Sequence, residues 1–202
     1  MIFSLTNENE IDIKYSAVCD ADSIINLTNH TYFNLNGAES GTNVLDTTLQ
    51  IDGERYIVID EKCIPTGEIA EVLGTPFDFR AAKFIGEDIC SAHSQIQIGS
   101  GFDHCIVFDE KAGFMRRAVA SSDRTNIKMS CFTSEPSLQL YTGNHLDTSE
   151  GKGGVKYSKN DGFCLETQRY PDSPNHANFT NCVMRKNEIY TSETMYKFEK
   201  LH

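Results

Sequence analysis

The chain has 202 residues, a length that sandwiches and barrels routinely fold as one unit, so a single domain over 1–202 is expected. Hydrophobic residues make up 39% and charged residues 23%, the balance of an ordinary globular protein rather than a disordered or fibrous one. The formal net charge of -11 repels phosphate backbones and anionic lipid, which argues against nucleic-acid and membrane partners.

In chain order the pattern is β throughout. Ile2–Leu5 and Ile11–Val18 read as a hairpin turned by the polar run Thr6 to Glu10. Ile24–Asn29 and His30–Leu35 are expected as another strand pair or one long bent strand. Strands are also expected at Leu45–Ile51, Tyr56–Ile59, Phe102–Phe108, Arg117–Ala120 and Asn126–Phe132. Leu138–Tyr141, Gly162–Gln168 and Glu193–Phe198 complete the series. Helical signal is thin; Phe84–Ala92 is expected to make one or two turns. Glu150 to Gly154 is loop by composition and too short to separate domains. The fold class is therefore all-β, a sandwich or barrel. Met1 stands directly before the first strand, so an exposed sheet edge is expected, covered by self-association or by an upstream segment.

Seven cysteines, none in a C-x-x-C pair, give no support to a zinc knuckle or thioredoxin-like motif and fit reduced thiols in the cytoplasm. The start of the chain does not read as a signal peptide, and no apolar run approaches the roughly 20 residues of a membrane span. Asn26-Leu27-Thr28 and Asn178-Phe179-Thr180 match the glycosylation pattern, at a frequency chance supplies.

Four segments carry candidate chemistry. Asn26 to Leu35 packs amides, hydroxyls, His30 and two aromatics into one run, and alternation puts His30 on the face of Thr28 and Tyr32. Such a mixture suits a sugar site, with aromatic walls and polar contacts, though a lone strand histidine is usually structural. Gly101-Phe102-Asp103-His104 and Gln139-Leu140-Tyr141-Thr142-Gly143-Asn144 each read equally as a strand bounded by a glycine turn. Glu166 interrupts an apolar strand, on the face of Cys164 and Gln168 and opposite Phe163 and Leu165. A carboxylate there is costly unless it is partnered, used or turned to solvent.

Taken together and in order, these segments resemble the signatures of the aldose 1-epimerase (galactose mutarotase) family. Asn29-His30-Thr31-Tyr32-Phe33-Asn34-Leu35 is similar to its N-H-x-Y-F-N-L. Ile64-Pro65-Thr66-Gly67-Glu68-Ile69, Gly74-Thr75-Pro76-Phe77-Asp78-Phe79 and Pro171-Asp172-Ser173-Pro174-Asn175 match further loops, so the resemblance covers essentially the whole chain. It implies a galactose-mutarotase-like β-sandwich (a supersandwich), here an incomplete version. It also implies interconversion of α and β anomers of hexoses such as galactose and glucose. Glu166 would be the catalytic base and His30 the catalytic acid, with Asp103 and Gln139 binding sugar hydroxyls. No metal and no organic cofactor is implied, and the partner is a small-molecule hexose. Because neighbours on a strand face opposite ways, His104 is left out of the site.

The chain departs from the family pattern upstream. The Asn-Arg pair and the H-G-G segment that precede N-H-x-Y-F-N-L in the family do not occur, so the chain resembles the C-terminal part of a member. Glu135-Pro136-Ser137 replaces a Pro-Gly, and Leu49-Gln50-Ile51 stands where His-x-Leu is usual. Turnover is expected only if the missing wall is supplied by another chain or by a longer protein. The alternative is a non-catalytic mutarotase-like module that binds carbohydrate or protein through the same groove. A hexose-phosphate epimerase is disfavoured by the lack of an Arg or Lys cluster for the phosphate.

Overall fold

The structure is a computed structural model that describes residues 1–108, 113–148 and 150–201. The strands are β1 (Ile2–Leu5), β2 (Glu10–Val18), β3 (Ser23–Ile24), β4 (Thr48–Ile51), β5 (Arg55–Ile59), β6 (Pro65–Glu71) and β7 (Lys83–Phe84). A short helix α1 (Ser94–Gly99) precedes β8 (Asp103–Val107), β9 (Met115–Ser122), β10 (Ile127–Thr133) and β11 (Ser137–Tyr141). β12 (Cys164–Gln168), β13 (Val183–Met184) and β14 (Ile189–Lys200) follow.

Two antiparallel sheets build the sandwich, seven strands in the order β1-β2-β14-β10-β9-β4-β7 and five in the order β12-β11-β8-β5-β6. The expected β1–β2 hairpin forms: Asn9 takes the left-handed conformation and the Thr6 amide donates to the Glu10 carbonyl at 3.0 Å. Alternation decides which side chains meet between the sheets. Ile13 and Tyr15 of β2 and Tyr196 of β14 join Ile106 of β8, Leu138 and Leu140 of β11 and Leu165 of β12 in one core cluster. Two polar contacts cross the same interface: Tyr196 Oη donates to the Leu165 carbonyl at 2.7 Å, and the Thr167 and Thr194 hydroxyls hydrogen-bond. Both partners of each are buried and therefore satisfied. β8 is buried on both faces, because a second cluster of Ile57, Cys105, Val107, Tyr170 and Phe179 covers its outer side.

One local expectation is corrected and a second is met in part. Ile24–Leu35 is not a strand pair: only Ser23–Ile24 forms a strand, with β13, and Phe33 makes an isolated bridge to Phe163. Asparagine side chains replace the ladder. Asn26 donates to the Arg169 carbonyl at 3.0 Å and accepts from the Arg169 amide at 2.9 Å, while Asn34 donates to the carbonyls of Thr42 and Asp161. These amides tie an irregular segment alongside β12 without needing strand dihedrals. Phe84–Ala92 makes one turn, the lower end of the one or two expected. The Ile85 and Gly86 amides donate to Thr47 and Leu45, which leaves a single 3-10 turn at Ile85–Glu87. The true helix is α1, capped by His93 Nδ1 accepting from the Gln95 amide; the Gln95 side chain then pairs with both backbone groups of Ile59 at 2.8 Å.

Candidate active site

The site lies on the outer face of the five-stranded sheet, where strand alternation and register do the assembling. Gln139 on β11 stands between Cys105 on β8 and Glu166 on β12; Tyr141 stands between Asp103 and Cys164. One face therefore carries Asp103, Gln139, Tyr141, Cys164 and Glu166, while Leu138, Leu140 and Leu165 point into the core. His104 points inward too. It is buried against the Tyr56 and Phe77 rings, and that burial depresses its pKa to about 3.

The Asn144 amide, with Thr142 beside it, ties the loop before β8 to the turn after β11. Asn144 Nδ2 donates to the carbonyls of Gly99 and Phe102 at 2.8 and 2.9 Å, and its Oδ1 accepts from the Thr142 hydroxyl at 2.7 Å. The close approach explains Gly101, whose φ is 138° and where an added Cβ would stand 2.3 Å from Asn144 Oδ1. The Gly-Phe-Asp-His and Gly-Asn segments are thus two halves of one clamp that sets the entry of β8.

All four residues expected at the site line one cleft of about 390 Å³. His30 enters from the irregular segment that Asn26 and Asn34 hold, and its Nε2 lies 3.4 Å from Glu166 Oε1. Gln139 Nε2 donates to Asp103 Oδ1 at 2.8 Å. Half of the His30 side chain is exposed but only 10% of that of Glu166, so the pair bridges the open cleft and the sheet surface. Burial raises the Glu166 carboxyl to about 7; His30 opposes that shift and the charge of Asp103 adds to it. Burial raises Asp103 as well, against the Gln139 hydrogen bond and the fields of His145 and His30. A carboxyl that is half ionised near neutral pH, facing an imidazole in a cleft, is equipped for proton transfer in both directions.

The walls include residues the sequence reading did not single out as site residues. Tyr32 and Tyr141 stand at 5.1 and 6.0 Å from the His30 ring, centroid to centroid, and at 6.1 Å from each other. Both line the cleft with Ile57, Ile59, Pro65 and Pro171. Tyr141 was detectable by alternation, two residues beyond Gln139 on the same face. Pro171 and Pro65 were not, since they come from distant parts of the chain, the start of β6 and the turn after β12, that only tertiary packing brings together. His30, Cys164 and Glu166 each offer a metal-ligand atom within 4.8 Å of the others. The sulfur faces His30 Nδ1, however, and the carboxylate faces Nε2, so one ion could not use both contacts as the ring stands. The arrangement is a row of separate pair contacts rather than a ligand shell.

The family described as aldose 1-epimerase matches residues 1–197. The aldose 1-epimerase of Haemophilus influenzae is 36% identical over 199 residues, covering 98% of this chain and 58% of that protein. Human galactose mutarotase is 39% identical over 193 residues, 94% of this chain and 54% of its own length. Among solved structures, a galactose 1-epimerase from Lactobacillus acidophilus superposes with a TM-score of 0.84 at 32% identity, over 99% of this chain and 56% of that one. An aldose epimerase homologue from C. elegans does so with a TM-score of 0.84 at 27% identity, over 99% and 59%. The chain thus spans a little over half the length of the curated relatives it matches. With a galactose-mutarotase-like sandwich and a family match along nearly its whole length, this chain belongs to the aldose 1-epimerase family.

Proposed function

We propose that the chain interconverts the α and β anomers of hexoses such as galactose and glucose by acid–base ring opening. The observation that carries this reading is the Glu166–His30 pair, 3.4 Å apart across an open cleft, with the carboxyl raised to about 7. Glu166 takes the proton of the anomeric hydroxyl as C1–O1 becomes a carbonyl. The C1–O5 bond breaks, and the ring oxygen takes a proton from His30 Nε2. Rotation about C1–C2 and the reverse transfers give the other anomer, with no net change in either side chain. Asp103 and Gln139, hydrogen-bonded to each other, orient the sugar through its hydroxyls, and Tyr32 and Tyr141 meet its C–H faces.

The same reading takes residues 1–202 as one unit, supported by a core cluster that draws on both sheets. It places the protein in the cytoplasm, in hexose metabolism. Seven free cysteines support a reducing compartment, and among the described residues no helix is long and apolar enough to cross a membrane. The β1 edge is fully exposed, with Phe3 54% and Leu5 81% accessible, and is the surface that a second copy or further polypeptide would cover.

The test is exchange of α-glucose and α-galactose followed by polarimetry or NMR, comparing the wild type with Glu166→Gln. Catalysed exchange that the variant loses is expected. Buffer-level rates in the wild type would reject the activity for this chain, and equal catalysed rates in both would reject Glu166 as the base.

A further inference from the structure

Cys164 is a buried nucleophile that the ring-opening chemistry does not use. It lies two residues before Glu166 on β12, on the same face, and is paired with Tyr141. Its Sγ is 3.5 Å from His30 Nδ1, while the other ring nitrogen of His30 faces Glu166 at 3.4 Å. The imidazole thus faces side chains of one strand at both nitrogens, although His30 itself lies in an irregular segment outside the named strands.

We propose that Cys164 is a positioning residue, its thiol holding Nδ1 so that Nε2 is the nitrogen presented to Glu166 and the cleft. This inference rests on the acid–base reading above and adds a residue to it. As the acid, His30 is the charged imidazole: Nε2–H faces Glu166 and the cleft, and Nδ1–H needs an acceptor, which the Cys164 sulfur is. Once Nε2 has passed its proton to the ring oxygen, the neutral ring keeps Nδ1–H on the sulfur, and Nε2 is bare to take the proton back. One atom thus serves both protonation states of the acid. Burial, with the Glu166 and Asp103 charges adding to it, pushes the thiol well above its ordinary range. It therefore keeps its proton and does not compete with Glu166 for the charge of the imidazole. The groups around His30 are Glu166, Cys164, Tyr32 and Tyr141, with the charge of Asp103 nearby.

The test uses Cys164→Ala, which removes the partner, and Cys164→Ser, which keeps a hydroxyl acceptor. The first readout is the NMR signal of the His30 Nδ1 proton at a pH where the imidazole is charged. A proton protected from exchange is expected with Cys164 or Cys164→Ser, and rapid exchange with water in Cys164→Ala. The second readout is anomer exchange with Glu166 intact. Here kcat falls roughly five- to tenfold in Cys164→Ala, the scale of one hydrogen bond, at nearly constant KM and is restored in Cys164→Ser. An Nδ1 proton equally protected in Cys164→Ala overturns the proposal, as does a folded Cys164→Ser that behaves like Cys164→Ala. An Nδ1 proton signal that responds as expected in a protein without turnover leaves the positioning role standing and rejects the enzymatic reading instead.

Discussion

Glu166 is a carboxylate placed where burial keeps it close to half protonated at neutral pH, and that placement has a cost and a use. With a pKa of about 7 it is an ionised base above that pH and a neutral acid below it. We expect kcat/KM for anomer exchange to fall about tenfold per unit as pH drops below 7, a slope a pH–rate profile would show. A plateau persisting down to pH 5 would contradict it. The stability effect has the opposite sign. The folded pKa lies above the ordinary 4.5, so the folded state binds more protons between those values and loses stability as pH rises through 7. Glu166→Gln should therefore be inactive yet more stable above pH 7, by on the order of 1–3 kcal/mol in chemical denaturation. Of the other residues expected from the sequence, His30 sits in a short run of unusual composition, whereas Asp103 and Gln139, in runs that read equally as strand and turn, came from the family resemblance. Cys164 was not, because a buried thiol reads as a small hydrophobe until its neighbour is known.

At the scale of elements, side-chain amides do work that strands usually do. Asn26 pairs with both backbone groups of Arg169, just beyond the end of β12, and so seats the segment that carries His30. Asn26→Ala should cost about 1–2 kcal/mol in denaturation midpoint and raise the exchange rate of the Arg169 amide hydrogen; an unaltered exchange rate would show that the pairing does not close that edge. The family resemblance made Ile64–Ile69 a loop motif, but Pro65–Glu71 is strand β6, and its Pro65 and Gly67 both have local reasons. Pro65 opens the edge strand, where a missing N–H is tolerated. Gly67 has φ 90°, and an added Cβ would come within 2.7 Å of His176 Nδ1, whose ring reaches the Pro65 carbonyl at 3.2 Å and Asp172 at 3.2 Å. Gly67→Ala is expected to destabilise by about 1–3 kcal/mol and, by shifting the Pro65 wall, to raise KM more than it lowers kcat. Steady-state kinetics on a sugar substrate would check the split. The strand content was visible from alternation, whereas Ile24–Leu35 misled because Asn26 and Asn34 fasten it to distant backbone in place of a ladder.

For the whole molecule, two buried titrating groups pull the stability in opposite directions with pH. His104, between the sheets, has a folded pKa of about 3 against an ordinary 6.5, so its contribution is fully present above 6.5 and is lost as pH falls toward 3. Glu166 on the outer face gains stability over much of the same descent, from 7 to 4.5. Their slopes offset between 4.5 and 6.5. Removing one exposes the other: Glu166→Gln should lose stability more steeply with acid over that interval than the wild type, by up to about 1.4 kcal/mol per pH unit. Parallel profiles measured by urea denaturation would contradict the assignment. The edges are a second property at this scale. β12 is flanked by the Asn26–Phe33 segment, while β1 is exposed along its length.

The amino-acid sequence by itself determined the β character, the order of most strands and the residue types of the site, because alternation and composition are local signals. It also carried the family resemblance, since ordered motifs survive without any knowledge of contacts. Only the tertiary structure decided which side chains meet. The register of β8, β11 and β12 puts Asp103, Gln139 and Glu166 in one row, and register is a long-range choice made by the two sheets packing face to face. Bringing His30 across from a segment 136 positions away, between the Cys164 sulfur and the Glu166 carboxylate, is a contact no local pattern encodes.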